Sequence, residues 1–201
     1  TYGDSGLVRD AINYALGRNI AIVAAAGNDG FSNLTYPARY PGVIAVGSID
    51  ATGIAAPFSN TGKTLGIVAP GTSITAAWLN DGSINFSGTS ASVPFVSGAI
   101  AYILAEQRYL SATAAASLVL QNANDAGPPG NDPLYGGGML DLGRLSERQT
   151  AGIHDLAIAS HWVAPSATAA DGSVPVLVTV QNRGTVAASY AVLDVTDGRS
   201  S

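Results

Sequence analysis

The chain has no cysteine, one methionine, two tryptophans and two histidines, and only 11% of its 201 residues are charged. Without cysteine there can be no disulfide, no thiol nucleophile and no Cys-ligated zinc. Nine Lys and Arg stand against fourteen Asp and Glu, a net charge of -5. That balance leaves no basic footprint for nucleic acid and no basic face for an anionic membrane. No apolar run approaches the roughly 20 residues that cross a bilayer. The chain opens at Thr1 in mid-pattern, without a Met-led signal segment. What it has in quantity is apolar material, 47% of residues. With so little charge, this composition makes a packed core and not a disordered chain. The length suits one medium domain, or a domain with part of another.

Hydrophobic periodicity orders the first part of the chain. Asp4 or Ser5 can cap a helix whose apolar positions Leu7, Val8, Ala11, Ile12, Ala15 and Leu16 keep helical spacing up to Gly17. Ile20 to Ala26, Val43 to Val46 and Leu65 to Ala69 are continuous apolar runs, as in parallel strands covered on both faces. Ile74 to Trp78 and Ser83 to Phe86 flank Asn80-Asp81-Gly82, a hairpin turn. A long helix is expected from Thr89 to Arg108, with Val93, Val96, Ile100, Ile103 and Leu104 as its buried stripe, and an Ala-rich one from Ser111 to Leu120. Asn122 to Gly138 reads as a loop. Helix, buried strand, loop and buried strand in succession imply α/β layering. After about residue 150 the pattern turns β-like, with runs Leu156 to Trp162, Val174 to Val180 and Val186 to Val195. Three short strands are fewer than the seven or so that a β-sandwich needs.

Two motifs carry chemistry. Phe86-Ser87-Gly88-Thr89-Ser90-Ala91-Ser92-Val93-Pro94 lies where a loop becomes a helix. A serine there sits among unpaired N–H groups in a field that favours negative charge, although an ordinary Ser or Thr cap would read the same. Pro94 is placed in the first turn, where its missing N–H has no consequence. The second motif, Ala24-Ala25-Ala26-Gly27-Asn28-Asp29-Gly30, ends a buried strand. Asn28 can aim its amide into a site at the sheet edge, or Asn28-Asp29-Gly30 can be only a turn.

In order and in wording, these motifs resemble the subtilisin-like serine peptidases. The resemblance runs from about Thr1 to Leu145. It includes Tyr36-Pro37-Ala38-Arg39-Tyr40-Pro41-Gly42-Val43, Ala69-Pro70-Gly71, Gly88-Thr89-Ser90 and Tyr135-Gly136-Gly137-Gly138. It implies an α/β fold, a partial three-layer arrangement on a parallel sheet, over residues 1–148. A linker and an incomplete Ig-like domain over 149–201 are expected to follow. Asp155-Leu156-Ala157-Ile158 and Val178 to Gly184 give that segment a resemblance to CARDB-type modules. By resemblance Ser90 is the nucleophile, and Asn28 with the Ser90 N–H forms the oxyanion hole. Ala25, Ala26, Gly27, Thr35 and Tyr36 shape the pocket for the substrate side chain. No cofactor is required. The carbonyls of Ala38, Tyr40 and Val43 match a weak cation site of some relatives, which makes structural calcium an option beside a plain loop.

The family's partner order is Asp, His, Ser, so both partners of Ser90 belong before it. The two histidines, His154 and His161, come after it. The chain is therefore expected to lack the catalytic Asp and His and to need an N-terminal portion of the peptidase domain. Asp4 reads as a helix cap and not as the catalytic acid. The implied parent is a secreted or cell-surface endopeptidase acting on polypeptides, with no nucleic-acid partner and no membrane span. Two alternatives stay open. One is an adhesion or binding protein that uses the fold as a scaffold. The other is an acid peptidase of the sedolisin type, although those carry Asp where this chain has Asn28. Gly62-Lys63-Thr64 is no phosphate loop, because Pro57 stands where the leading glycine is required.

Overall fold

In a computed structural model, residues 3–163 and 173–193 are described. The expected helices form as α1 (Gly6–Gly17), α2 (Thr89–Glu106) and α3 (Ala112–Gln121), and a short α4 (Leu142–Glu147) joins them. Strands β1 (Ile22–Ala25), β2 (Val43–Ile49) and β3 (Ile67–Pro70) make a parallel sheet in that order. β4 (Ile74–Ala77) and β5 (Ser83–Phe86) form the antiparallel hairpin, with Asn80 and Asp81 at positive φ in the turn.

The side-chain period of two sorts the sheet into two cores. Val46, Ile67 and Ala69 face α2 and α3, meeting Val96, Ala99, Ile100, Ile103, Ala115 and Val119. Their neighbours Ala45 and Val68 turn the other way, to Ala24, Leu34, Ala38 and Leu65. Burial of a side chain such as Val96 or Ile103 contributes about 1.5–3 kcal/mol. α4 closes the first core with Leu145, which is fully buried, and Asp141 caps it by accepting from Arg144 N at 2.9 Å. A helix of six residues is too short to announce itself by periodicity.

The two sides of the sheet end differently. Beyond β3, the Gly138 carbonyl accepts from Val68 N at 3.0 Å, and Leu140 N donates to Val68 O at 2.9 Å. Beyond β1, no strand pairs among the described residues. β1 is consequently less covered than its apolar run suggests: only Ala24 is buried and Ile20 is 53% exposed.

Three further expectations are corrected. Pro94 is not in the first turn but five residues beyond Thr89, inside α2, so it withdraws the N–H that would reach the Ser90 carbonyl. Asp4 does not cap α1. It accepts from Tyr40 Oη at 3.0 Å and pairs with Arg9, and the Arg9 bond first, then the Tyr40 bond, holds its carboxyl below the ordinary range. The run Val186 to Val195 forms no strand over residues 186–193; residues 194 and 195 lie outside the described ones. The tail is therefore a two-stranded antiparallel ribbon, β6 (Leu156–Val163) with β7 (Val176–Asn182), among the described residues.

That ribbon covers little apolar surface. Leu156, Ile158, Val176 and Val180 remain 42% to 57% exposed, and a lone hairpin is marginally stable in water. Limited proteolysis is expected to cut between about residues 149 and 155 and to degrade the ribbon first. A tail that resists as long as the sheet and α2 would contradict this.

Candidate active site

The site is built where the C-terminal end of β1 meets the N-terminus of α2. Asn28 follows β1, and Ser90 is the second residue of α2, exposed, with no hydrogen bond from its hydroxyl to another described residue. Its backbone N–H lies in the first helical turn, where N–H groups have no intrahelical acceptor. No acidic side chain occupies that turn, so the helix field at Ser90 is not cancelled locally.

Thr89 joins the two elements. Asn28 Oδ1 accepts from both Thr89 N and Thr89 Oγ1, each at 2.8 Å. Thr89 Oγ1 in turn accepts from Gly27 N at 3.3 Å. With its oxygen so occupied, the Asn28 amide can present only its Nδ2, which lies on the Gly88 side: a Cβ placed on Gly88 would be 3.2 Å from it. The arrangement leaves two N–H donors, Asn28 Nδ2 and Ser90 N, without an acceptor at the N-terminus of α2.

A second asparagine holds the loop beneath. Asn60 is completely buried, accepts from Asp29 N at 2.9 Å and Phe31 N at 3.0 Å, and donates its own N–H to the Gly27 carbonyl at 2.9 Å. Gly27 has φ +115°, and a Cβ there would overlap Asn60 Nδ2 and press on the Thr35 methyl. Only glycine fits both the backbone and the space. On the other side Gly71 packs against the hydroxyls of Ser48 and Ser92 and takes the Gly88 N–H on its carbonyl at 2.8 Å. Neither Thr89 nor Asn60 stood out in the sequence, because each acts on residues some 30 to 60 positions away. Thr89 did lie inside the Gly88-Thr89-Ser90 motif.

Of the remaining candidates, Ala25, Ala26, Gly27 and Thr35 come together. Thr35 N donates to Ala26 O at 2.8 Å, and the Thr35 hydroxyl donates to the same oxygen at 3.2 Å. The Tyr36 ring instead packs on Tyr40, centroids 4.6 Å apart, with Arg39 over its face. Ala38 and Tyr40 lie in the turn that leads into β2, whose first residue is Val43, and the Tyr40 carbonyl accepts from Val43 N at 3.2 Å. His154 and His161 make no hydrogen bond to Ser90.

Residues 1–138 match the model of the subtilase family. The chain belongs to the subtilase family. A thermostable alkaline protease of Halalkalibacterium halodurans is 37% identical over 138 residues, which cover 68% of this chain and 37% of that protein. Subtilisin DY of Bacillus licheniformis is 35% identical over 146 residues, 70% of this chain and 52% of the relative. Among solved structures, the prenylagaramide maturation protease PagA superposes with a TM-score of 0.64 at 33% identity, covering 70% of this chain and 54% of that one. The self-cleaved protease domain of PatA gives 0.62 at 34% identity, covering 72% and 54%. The chain thus spans between about a third and a half of the length of these relatives, and its fold over that span is the subtilisin-like α/β fold.

The Thr89 junction makes a stability prediction that needs no activity. Thr89→Val would leave the half-buried Gly27 N–H without an acceptor and remove one of two bonds to Asn28. Urea unfolding should show a loss of about 1–3 kcal/mol, with Thr89→Ser retaining most of the difference. Equal stability of the Val variant and the wild type would mean that the hydroxyl bonds contribute nothing.

Proposed function

We propose that this chain is the nucleophile-bearing part of a serine endopeptidase that cleaves polypeptides. Ser90 is the attacking residue, and Asn28 Nδ2 with Ser90 N holds the oxyanion. The observation that carries the reading is the fixing of Asn28 Oδ1 on Thr89 N and Oγ1. A side-chain amide whose oxygen is tied down leaves its N–H pair for a ligand, and such donors act on the charge that develops on the carbonyl oxygen as the serine adds. An Asp at this place would accept the same two bonds and offer no donor, which favours the subtilisin reading over the acid-peptidase one.

A serine hydroxyl at neutral pH also needs a base. Neither histidine of the chain is bonded to Ser90, and both follow it in sequence. We place the base and its orienting carboxylate on a part of the fold that adds to the free edge of β1. Two features support this: the unpaired parallel edge, and the cleft along it where Ala21, Ile22 and Val23 meet Ser97 and Ile100 of α2. The relatives' greater length gives such a part room. Secretion is proposed by analogy with relatives such as the minor extracellular protease Epr of Bacillus subtilis.

On this reading the 201 residues alone show no peptide hydrolysis above background and no Ser90 labelling by a fluorophosphonate. Supplying the rest of the peptidase domain restores both. In that completed enzyme Ser90→Ala abolishes labelling, and Asn28→Leu lowers kcat by about 10²–10³, the loss found when the corresponding donor is removed from a subtilisin. Strong labelling of the isolated chain would point to His154 or His161 as a base and overturn the division proposed here.

The pocket for the substrate side chain before the cleaved bond is walled by Ala25, Ala26, Gly27 and the Thr35 methyl, all small and without charge. A peptide library profiled with the completed enzyme should therefore favour apolar residues at that position. A profile dominated by Arg or Lys would sink the assignment.

A further inference from the structure

The loop after α3 runs Asp125-Ala126-Gly127-Pro128-Pro129-Gly130-Asn131-Asp132 and plays no part in the site described above. Asp132 is only 6% exposed. Its Oδ1 accepts from Leu134 N at 2.7 Å and Tyr135 N at 3.0 Å, while its Oδ2 is buried without a partner. That free oxygen faces the interior of the loop, since a Cβ on Gly127 would stand 3.3 Å from it. Asp125 repeats the pattern: Oδ2 accepts from Gly130 N at 3.0 Å, and Oδ1 is buried and unpartnered.

Buried carboxylate oxygens left without donors are expensive unless something positive meets them. No Lys or Arg does so: the two ion pairs among the described residues are Arg9 with Asp4 and Arg148 with Glu106. The loop itself is short of donors, because Pro128 and Pro129 bring carbonyls and no N–H. The carboxyl of Asp132 is held above its ordinary range chiefly by burial, against the pull of its two backbone bonds, and the Asp125 charge adds to the rise.

We propose that the Asp125–Asp132 loop binds a hard divalent cation of the calcium type between the two free carboxylate oxygens. No third His, Asp or Glu joins the pair among the described residues. The rest of the roughly six to eight oxygens that calcium takes would come from loop carbonyls and water, and affinity would be correspondingly modest. Calcium suits the place better than magnesium, which demands a compact octahedron that a Gly- and Pro-rich loop does not preform. The position differs from the turn holding Ala38, Tyr40 and Val43. Its consequence is mechanical. The same loop takes the tail ribbon through Ser160 Oγ on the Gly127 carbonyl at 3.1 Å and Asp125 N on Gln181 Oε1 at 3.3 Å. Asp132 also exchanges backbone bonds with Gly136, close to the outer edge of β3. A bound cation would stiffen the junction between sheet and tail.

The test uses the 201-residue chain with terbium as the probe, because the Tyr135 ring lies against Gly127 and can sensitise its luminescence. Circular dichroism first establishes that each variant folds. Expected for the wild type is a single saturable terbium signal, displaced by calcium with Kd about 10⁻⁴–10⁻³ M. Its Tm should rise by roughly 5 °C between EDTA and about 10 mM calcium. Asp132→Asn, which can still accept from Leu134 N and Tyr135 N, and Asp125→Asn should each weaken binding at least about tenfold and flatten the calcium dependence. In EDTA both should melt at or above the wild type, because a buried unpaired charge has been removed. Three results would overturn the proposal. They are no saturable terbium signal, a calcium response that both variants retain, and a stabilisation by Asp132→Asn that is the same at every calcium concentration. The retained response would place the cation elsewhere, and the uniform stabilisation would make Asp132 an ordinary buried carboxyl. Should Asp132→Asn fail to fold, Asp125→Asn decides alone.

Discussion

Everything at this site depends on one side-chain oxygen bonded across 61 positions of sequence, Asn28 Oδ1 on Thr89. It satisfies one of the orphan N–H groups at the start of α2, which would otherwise need a cap from the helix's own N-terminal side. Gly88, the residue in the cap position, has no side chain to supply it. The cap comes instead from the end of β1, so the strand that delivers Asn28 and the helix that delivers Ser90 cannot shift independently. Thr89 Oγ1 completes the lock by taking the Gly27 N–H. The neighbouring Ser90 N–H is left unspent. A capping bond that is purely structural at Thr89 thereby determines which groups remain free one residue later.

The small residues around this lock follow from it. There is no room for a side chain at Gly27, which packs on Asn60 and Thr35, or at Gly71, where the hydroxyls of Ser48 and Ser92 fill the narrow space between the strand ends and α2. Ser92 Oγ donates to the Ala69 carbonyl at 3.0 Å, and Ser59 Oγ accepts from Ser48 N at 3.0 Å. Each short polar group satisfies the backbone at the strand ends, where sheet pairing stops. The low charge of the composition has its counterpart here, since the polar work inside the fold is done by hydroxyls and amides.

How much of this was legible depended on range. α1, α2, α3, the three parallel strands and the β4–β5 hairpin were read because their signals are local: periodicity, apolar runs and a turn sequence. Ser90 and Asn28 were read through motif resemblance. What escaped was either too short or too distant. α4 has one buried residue, Leu145, and no period to detect. Asp4 passed for a cap because one of its two partners, Tyr40, lies 36 residues on. Pro94 was placed one turn too early, since a helix start cannot be fixed to a residue when the cap comes from another element. Asn60 had no signature at all, as its acceptors and donors belong to the loop it supports. The third tail run failed for another reason: alternating apolar residues make a strand only if a neighbour pairs with them.

The sheet divides the chemistry unevenly. Binding an oxyanion needs donors fixed relative to the nucleophile, and the donors and nucleophile proposed above lie within the stretch from Gly27 to Ser90, closed on itself by the Thr89 bonds. Ionising the serine needs a base, and no described group near Ser90 provides one. On the reading proposed above, these two requirements are met from opposite sides of the β1 edge. The edge is suited to that role. A parallel strand offers evenly spaced, slanted N–H and C=O groups, so one added strand would be registered by the backbone of β1 before any side chain is consulted. The helix behind it presents Ser97 and Ile100 against Ala21, Ile22 and Val23, a cleft open to side chains from the new strand. Registration by the backbone would set the distance from the incoming base to Ser90, while the Asn28–Thr89 lock sets the distance from Ser90 to the oxyanion. Two independent constraints thus converge on one hydroxyl, and the fold keeps them independent by giving each its own side of β1.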